Sequence, residues 1–379
     1  MKEQRVLSSY MPALTGVRAI AAYMVYFHHF NPFTSYENKT GFLNLLYRLC
    51  DQMHVGVTLF FVLSGFLICF RYFNKVDQIN PGWFLIYMKN RFARIYPVYF
   101  ILTALTFGLM SLDNRLDFMG QYNGFSDIQK FVVFVLNITF VKGFFNGFKF
   151  TGIAQGWSLT VEECFYVFAP FVLLLSKKNK YAIIYSWVAV LALGFLLVLL
   201  FSKHNIFGFF ESVKFMLNFT FFGRVTEFIF GIGLGIIALR IQKKTVLKEG
   251  IFTYFSLLGI GFVIYVMSCL GESEVSKNNF FGIFLNNVVL AAIVCLFFYG
   301  IISEKTVVEK ILSSKIFDIL GKSSYIFYLI HMGVFSILLK TYVTDNYLIC
   351  FVLLNIASVI LYTYLEKPLH KLLRPKRQV

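Results

Sequence analysis

Apolar runs of about 20 residues, parted by short polar connections, recur along the chain and predict a series of membrane-spanning helices. A window of that length places ten spans at 12–30, 54–73, 93–111, 157–176, 181–202, 215–239, 250–270, 281–303, 321–340 and 345–365. Between the third and fourth spans lies a longer outer loop, about 112–156, in which DIQKFVVFVLNITF is apolar but too short to cross. That stretch predicts an interfacial or re-entrant helix, and the Gly-, Asn- and Asp-rich remainder predicts an ordered loop. The first run is expected to be retained, because no A-x-A-like cleavage site follows it and it carries Arg18 and two histidines. The predicted fold is all-α: a polytopic integral membrane protein of about ten transmembrane helices, one domain over 1–379 with no soluble domain appended.

Composition strengthens this picture. Hydrophobic residues make up 58%, charged residues 14%, and 48 residues are Phe, beyond the usual range of a soluble domain; the mean hydropathy is +0.71. The net charge of +16 raises nucleic acid as a partner, but the basic residues lie in the connections between apolar runs and form no basic domain. A bilayer accounts for them better, and no nucleic-acid partner is expected. With the N-terminus inside, the inner connections hold 23 Lys and Arg and the outer ones 10, so both termini are predicted to be cytoplasmic. Cys50, Cys69, Cys164, Cys269, Cys295 and Cys350 show no CxxC spacing, so neither a disulfide framework nor a metal site is expected.

Against this apolar background the ionisable residues inside spans become the candidate chemistry. An arginine at a helix centre costs about 2.5–3.5 kcal/mol on insertion scales, and such groups usually face a protein interior or a wet cavity. Arg18 and His29 are eleven residues apart, about three full turns, so they share one face of the first span at about 16 Å separation, while His28 points elsewhere. Loop charge puts His29 near the outer end. In the fourth span Glu162 and Glu163 lie within two turns of the outer boundary, where one of them either supports His29 or pairs with a buried arginine. Arg91 and Arg94 share a helix face at the inner entrance of the third span, which suits one phosphate-bearing ligand or, alternatively, anionic lipid. Arg224 and Glu227, three residues apart in the sixth span, are expected to satisfy each other as an ion pair. Gly231 and Gly235 form a GxxxG packing motif, and Ser64 with Gly65 reads as a small-residue helix contact. Tyr328 and His331 in the ninth span either line a cavity or are satisfied in the core, and His54 reads as interfacial.

These residues also carry a family resemblance. LTGVRAIAAYMVYFHHF with its R-x10-H spacing, GVTLFFVLSGFLI, RFARIYP, GWSLTVEECFY, GRVTEFIFGIGLG, SSYIFYLIH and the late LEKP follow in order over residues 14 to 368. Together they resemble the successive blocks of the acyltransferase-3 membrane O-acyltransferases. The resemblance implies a multi-pass enzyme of the bacterial inner membrane, of the standalone type. Such an enzyme takes an acyl group, most often acetyl, from cytoplasmic acyl-coenzyme A to hydroxyls of an O-antigen, an exopolysaccharide or a lipid-linked saccharide. It implies His29 as the catalytic histidine, Arg18 as its companion, Arg91 and Arg94 as the coenzyme A contacts, and Glu162 as the characteristic acid, with Trp157, Glu163 and Tyr166 in the same block. One departure is visible at Thr58, where the family often has an acid. The mechanism it implies is general-base catalysis by His29, with an acyl-histidine intermediate as the alternative and no metal. A transporter or flippase of lipid-linked saccharide is the competing class; the lack of an internal repeat and the Arg91/Arg94 pair weigh against it. Peptidoglycan or a small secreted molecule are further acceptors within the enzyme class.

Overall fold

The structure is a computed structural model that describes residues 10–37, 40–204, 206–241 and 250–375. Lys2, Arg5, Lys39, Lys243, Lys244, Lys248, Lys376 and Arg377 from the charge count lie outside them. Every regular element among the described residues is a helix, and the chain is an all-α polytopic membrane protein. In order the helices are α1 (Pro12–His29), α2 (Phe42–Asp51), α3 (Gly56–Tyr72), α4 (Pro81–Leu112), α5 (Asp127–Ile138), α6 (Trp157–Lys178), α7 (Ala182–Phe201), α8 (Val213–Phe219) and α9 (Phe221–Ile241). They continue with α10 (Ile251–Cys269), α11 (Ser273–Asn278), α12 (Phe280–Phe284), α13 (Ala291–Ser303), α14 (Val307–Leu312), α15 (Lys315–Ile330), α16 (Val334–Tyr342), α17 (Tyr347–Leu361) and α18 (Lys367–Leu373).

Eight helical stretches among the described residues are long and apolar enough to cross a membrane, and a ninth is a bent pair. The predicted first span is present as α1, opened by Pro12 at its first turn. It falls outside the eight because Arg18, His28 and His29 lower the hydropathy of an 18-residue helix. The predicted third span begins earlier than expected, at Pro81. There the Asn80 side chain accepts from the Trp83 backbone amide and starts the helix, so Arg91 and Arg94 lie within α4 and not at its entrance. At about 1.5 Å per residue this 32-residue helix is about 48 Å long. The predicted ninth span is not continuous: α15 and α16 meet at 85°. Residues 331–333 leave the helical path there and Gly333 takes φ +80°, a conformation open to glycine at little cost. The stretch DIQKFVVFVLNITF forms α5, 12 residues or about 18 Å, with a capping box between Ser126 and Gln129.

The chain divides into two compact units. The first comprises 1–77, 169–191 and 223–322. Its helices are held by close backbone approaches at glycines, where a Cβ on Gly16 would lie 2.3 Å from the Leu312 carbonyl oxygen, one on Gly65 2.3 Å from that of Phe228, and one on Gly231 2.1 Å from that of Val62. Small residues let apolar helices interlock in this way where lipid supplies no hydrophobic drive. Leu14, Val17, Val62, Phe66, Val294 and Phe298 fill the core around these contacts. A six-residue π-helical turn, Leu285–Leu290, interrupts the seam between α12 and α13 and turns Asn286 and Asn287 into the interior. The second unit comprises 78–168, 192–222 and 323–379. In it the segment 112–156 is anchored by Phe107, Val133, Phe148 and Val334, and Phe145 bridges to Phe209 in strand fashion.

Candidate functional site

Within the first unit, α1 carries Arg18 half-buried and ends on His29, whose side chain is exposed. Consecutive residues on a helix diverge by about 100°, which is why His28 was expected to point away. The structure differs: the His28 and His29 rings lie 4.8 Å apart, and the His54 ring lies 5.3 Å from that of His28. The cause is the Asp51 backbone carbonyl, which accepts from His28 Nδ1 at 2.6 Å at the point where α1 stops. A carbonyl can only accept, so the bond places a proton on Nδ1. Asp51 is held in turn, its carboxylate accepting from the Ser273 amide at 2.5 Å and the Ser273 hydroxyl at 3.1 Å. His54, expected at the interface, therefore belongs to a three-imidazole group around His28.

Deeper in the same unit, Arg224 and Glu227 form the expected pair, with Nε 2.6 Å from Oε1 and the side chains 5% and 0% exposed. Arg224 Nη2 donates to Thr58 Oγ1 at 3.0 Å, Thr58 donates to Asn286 Oδ1 at 3.1 Å, and Asn286 Nδ2 donates to Asn287 Oδ1 at 2.9 Å. The guanidinium also lies over the Phe61 ring at 5.1 Å. Thr58 thus accepts from Arg224 where an acid would have paired with it, and Glu227 supplies the carboxylate from Arg224's own helix. No sequence pattern marked Asn286 or Asn287, since two amides inside an apolar run look like a local weakness of the span. Ser64 of the first unit is half-buried on α3.

The second unit gathers the other candidates into two groups. In one, buried Arg91 stacks over Tyr166 at 5.8 Å and the Tyr166 hydroxyl donates to the Glu162 carboxylate. Glu163 feels the charges of both Glu162 and Arg91, and half-buried Arg94 lies one turn along α4. In the other, His331 sits fully buried at the break between α15 and α16, with Nδ1 2.8 Å from the Tyr328 carbonyl. The Gln155 amide is 3.4 Å from its Nε2, and Tyr328 OH is 3.0 Å from Ser158 Oγ. Trp157 packs edge-on against Phe219 at 4.9 Å. Backbone outside regular helix at membrane depth is tolerated where protein buries it, and here Gln155 and Ser158 line that joint.

Lys142 was counted among the outer basic residues, yet it is 0% exposed. Its Nζ donates to the carbonyls of Thr151 at 2.6 Å and Ile153 at 2.5 Å. Burial holds this ammonium well below the ordinary lysine range, and a neutral amine has two N–H groups for the two carbonyls. Gly156 leaves the room, since a Cβ there would lie 3.0 Å from Nζ and 2.9 Å from the Tyr99 hydroxyl. Because the folded value lies below the unfolded one, the unfolded chain binds more protons, and stability rises with pH from the folded value up to about 10.5. The slope inside that window is about 1.4 kcal/mol per pH unit. The thermal midpoint of the detergent-solubilised protein is expected to climb as pH is raised toward 10, and Lys142→Met is expected to flatten the climb.

Among the described residues no group of three or more His, Cys, Asp or Glu side chains is placed to hold a metal ion. What the fold presents is a multi-pass helical membrane protein with a histidine at the end of its first helix and arginines buried in the bundle. The chain belongs to the acyltransferase-3 family, described as an acyltransferase domain, which matches residues 11–365. Among its relatives is a protein of Staphylococcus aureus strain MSSA476 whose name proposes an O-acetyltransferase, 25% identical over 379 residues, covering 96% of this chain and 58% of the relative. O-acetyltransferase OatA of Staphylococcus aureus strain NCTC 8325 is 26% identical over 381 residues, covering 96% of this chain and 57% of the relative. The chain spans less than three fifths of the length of the curated relatives it matches. No solved structure matches it.

Proposed function

We propose that the protein is an O-acyltransferase of the bacterial cytoplasmic membrane, taking an acetyl group from acetyl-coenzyme A to a hydroxyl of a surface glycan, with His29 as general base. The observation that carries this proposal is the exposed His29 ring beside a His28 that is locked by Asp51. An imidazole that is both exposed and set in a fixed frame is suited to meet a hydroxyl and remove its proton. In the proposed reaction the neutral His29 imidazole takes the hydroxyl proton as the oxygen attacks the acetyl carbonyl. The carbon–sulfur bond then breaks, the thiolate leaves, and His29 gives its proton to water before the next turnover. Arg18, about 16 Å further along the same helix, is assigned to positioning the arm of the donor. With the N-terminus inside, the charge asymmetry of the connections puts His29 at the outer side and the start of α4 at the inner side.

Arg91 and Arg94 are assigned to the phosphates of the donor. Two guanidiniums one turn apart offer paired N–H forks, the geometry that favours phosphate over a small neutral solute. Glu162, tied to Tyr166 beside Arg91, is assigned to keeping that group of charges in balance. The donor assignment is tested on the full chain purified in detergent. Acetyl-coenzyme A is expected to bind and to be hydrolysed slowly, and Arg91→Ala with Arg94→Ala is expected to weaken binding at least about tenfold, since a charge-assisted hydrogen bond contributes about 1.5–3 kcal/mol. Arg94→Ala alone removes the half-buried member and controls for misfolding of the double variant. Failure of the unaltered protein to bind or hydrolyse the thioester would remove the donor and favour a transporter.

A further inference from the structure

We propose that the elbow formed in the first unit by α14 and the start of α15 is a seat for an anionic phospholipid. Lys310 and Lys315 meet its phosphate, and Val307 and Ile311 meet its acyl chains. The elbow follows the membrane-crossing stretch 280–303, on the side that loop charge assigns to the cytoplasm. Its first helix, α14, has apolar residues on two faces. Val308 and Leu312 pack into the core of the unit, whereas Val307 and Ile311, four residues apart and so on one face, are 65% and 50% exposed. At six residues, about 9 Å, α14 is far too short to cross a bilayer and lies outside the spanning stretches. An outward apolar face on such a helix is kept from water when the boundary between headgroups and acyl chains covers it.

Charge selects the kind of lipid. Lys310 is three residues from Val307 on the same face of α14, Lys315 opens α15, and both lysines are exposed. The acids of this segment are engaged elsewhere. The buried Glu304 carboxylate accepts from the Phe252 and Thr253 amides, each at 2.9 Å, at the start of α10. Glu309 accepts from the Ser313 hydroxyl at 3.1 Å, and Asp318 pairs with Lys322 at 2.5 Å. The outward face is therefore cationic beside an apolar strip, the pattern that attracts anionic headgroups. A small soluble anion would engage the lysines and leave Val307 and Ile311 in water, so the strip favours a lipid. The seat is also joined to the first helix. The Leu312 carbonyl abuts Gly16 and the Thr15 carbonyl abuts Gly321, with no room for a Cβ at either glycine. A lipid held at the elbow thus braces the inner end of α1, the helix that carries Arg18 and ends on His29.

The test uses the full chain purified in a neutral detergent, with phosphatidylglycerol, phosphatidylcholine or inorganic phosphate added and bound lipid counted by native mass spectrometry. The unaltered protein is expected to retain phosphatidylglycerol at least about tenfold better than phosphatidylcholine, and inorganic phosphate is expected not to displace it. Lys310→Gln with Lys315→Gln is expected to remove that preference, since each basic residue near an anionic surface contributes about a fivefold factor. Lys180→Gln, exposed in another inner connection, is expected to keep it. Ile311→Ser, with both lysines in place, is expected to weaken retention of phosphatidylglycerol about threefold, by removing apolar area from the seat. All variants are expected to melt alike in detergent alone. Equal retention of the two lipids by the unaltered protein, an unchanged preference in the double lysine variant, or a preference lost equally with Lys180→Gln would overturn the seat. So would displacement of the lipid by inorganic phosphate, or full retention with Ile311→Ser. These readouts involve no acyl transfer, so they hold or fail independently of the proposed reaction.

Discussion

His29→Ala is expected to lower acyl transfer to the surface glycan of intact cells by at least about a hundredfold, with no comparable loss of folded protein. General-base catalysis contributes about 10²–10⁴ in rate, and no other imidazole is exposed at the end of α1. The protein should survive the change because His29 is exposed and contributes little to the core. The helix that carries it is fixed elsewhere, with α14 against Gly16, Gly56 against the Ala21 carbonyl oxygen and Gly321 against that of Thr15. Alkali-released acetate measured by mass spectrometry, set against the amount of extracted protein, gives the readout. His28→Ala separates the two imidazoles: it releases the link to Asp51 and is expected to cost less than His29→Ala. Full acetylation with His29→Ala would exclude it as the base.

The second large effect is expected on stability. Arg224→Met leaves the Glu227 carboxylate, 0% exposed, without the guanidinium 2.6 Å away. Removing one member of a buried ion pair typically costs about 3–5 kcal/mol, whereas replacing both by apolar residues is often close to neutral. Arg224→Met should therefore lower the melting temperature in detergent sharply, and Arg224→Met with Glu227→Leu should recover most of the loss. Thr58→Val removes both the acceptor of one Arg224 donor and the donor to Asn286 Oδ1, and is expected to cost about 1–3 kcal/mol. Equal destabilisation by the single and double changes would mean that the pair is not the coupled unit described.

Much of the architecture was legible because a membrane simplifies the folding problem. Backbone polar groups in lipid must be satisfied within a helix, so a sustained apolar run nearly dictates one, and α6, α7, α10 and the stretch 280–303 from α12 through α13 lie where their runs predicted. Legibility failed where a polar group interrupts a run for a tertiary reason. Lys89, Asn90 and Arg91 hid the early start of α4, and nothing local in SSYIFYLIHMGV announces that the chain turns by 85° around His331. That bend packs against Gln155, Ser158 and Gly152, which are distant in sequence. Lys142 illustrates the same limit: in sequence it is an outer charge, and only the carbonyls of Thr151 and Ile153 make it a buried amine.

The sequence alone determined the all-helical membrane fold, the family, and the types of residue available for chemistry, since hydropathy and motif order are properties of the chain as written. The pairing of Arg224 with Glu227 was also within its reach, because residues three apart on a helix share a face. Tertiary structure decided which side chains meet across helices: Thr58 and Asn286 with Arg224, Tyr166 with Arg91, and Asp51 with both His28 and Ser273. Those contacts depend on close helix approach at Gly65 and Gly231, on the π-helical turn and on where α1 ends. Each is set by packing between segments far apart in sequence, and no periodicity within one segment encodes it.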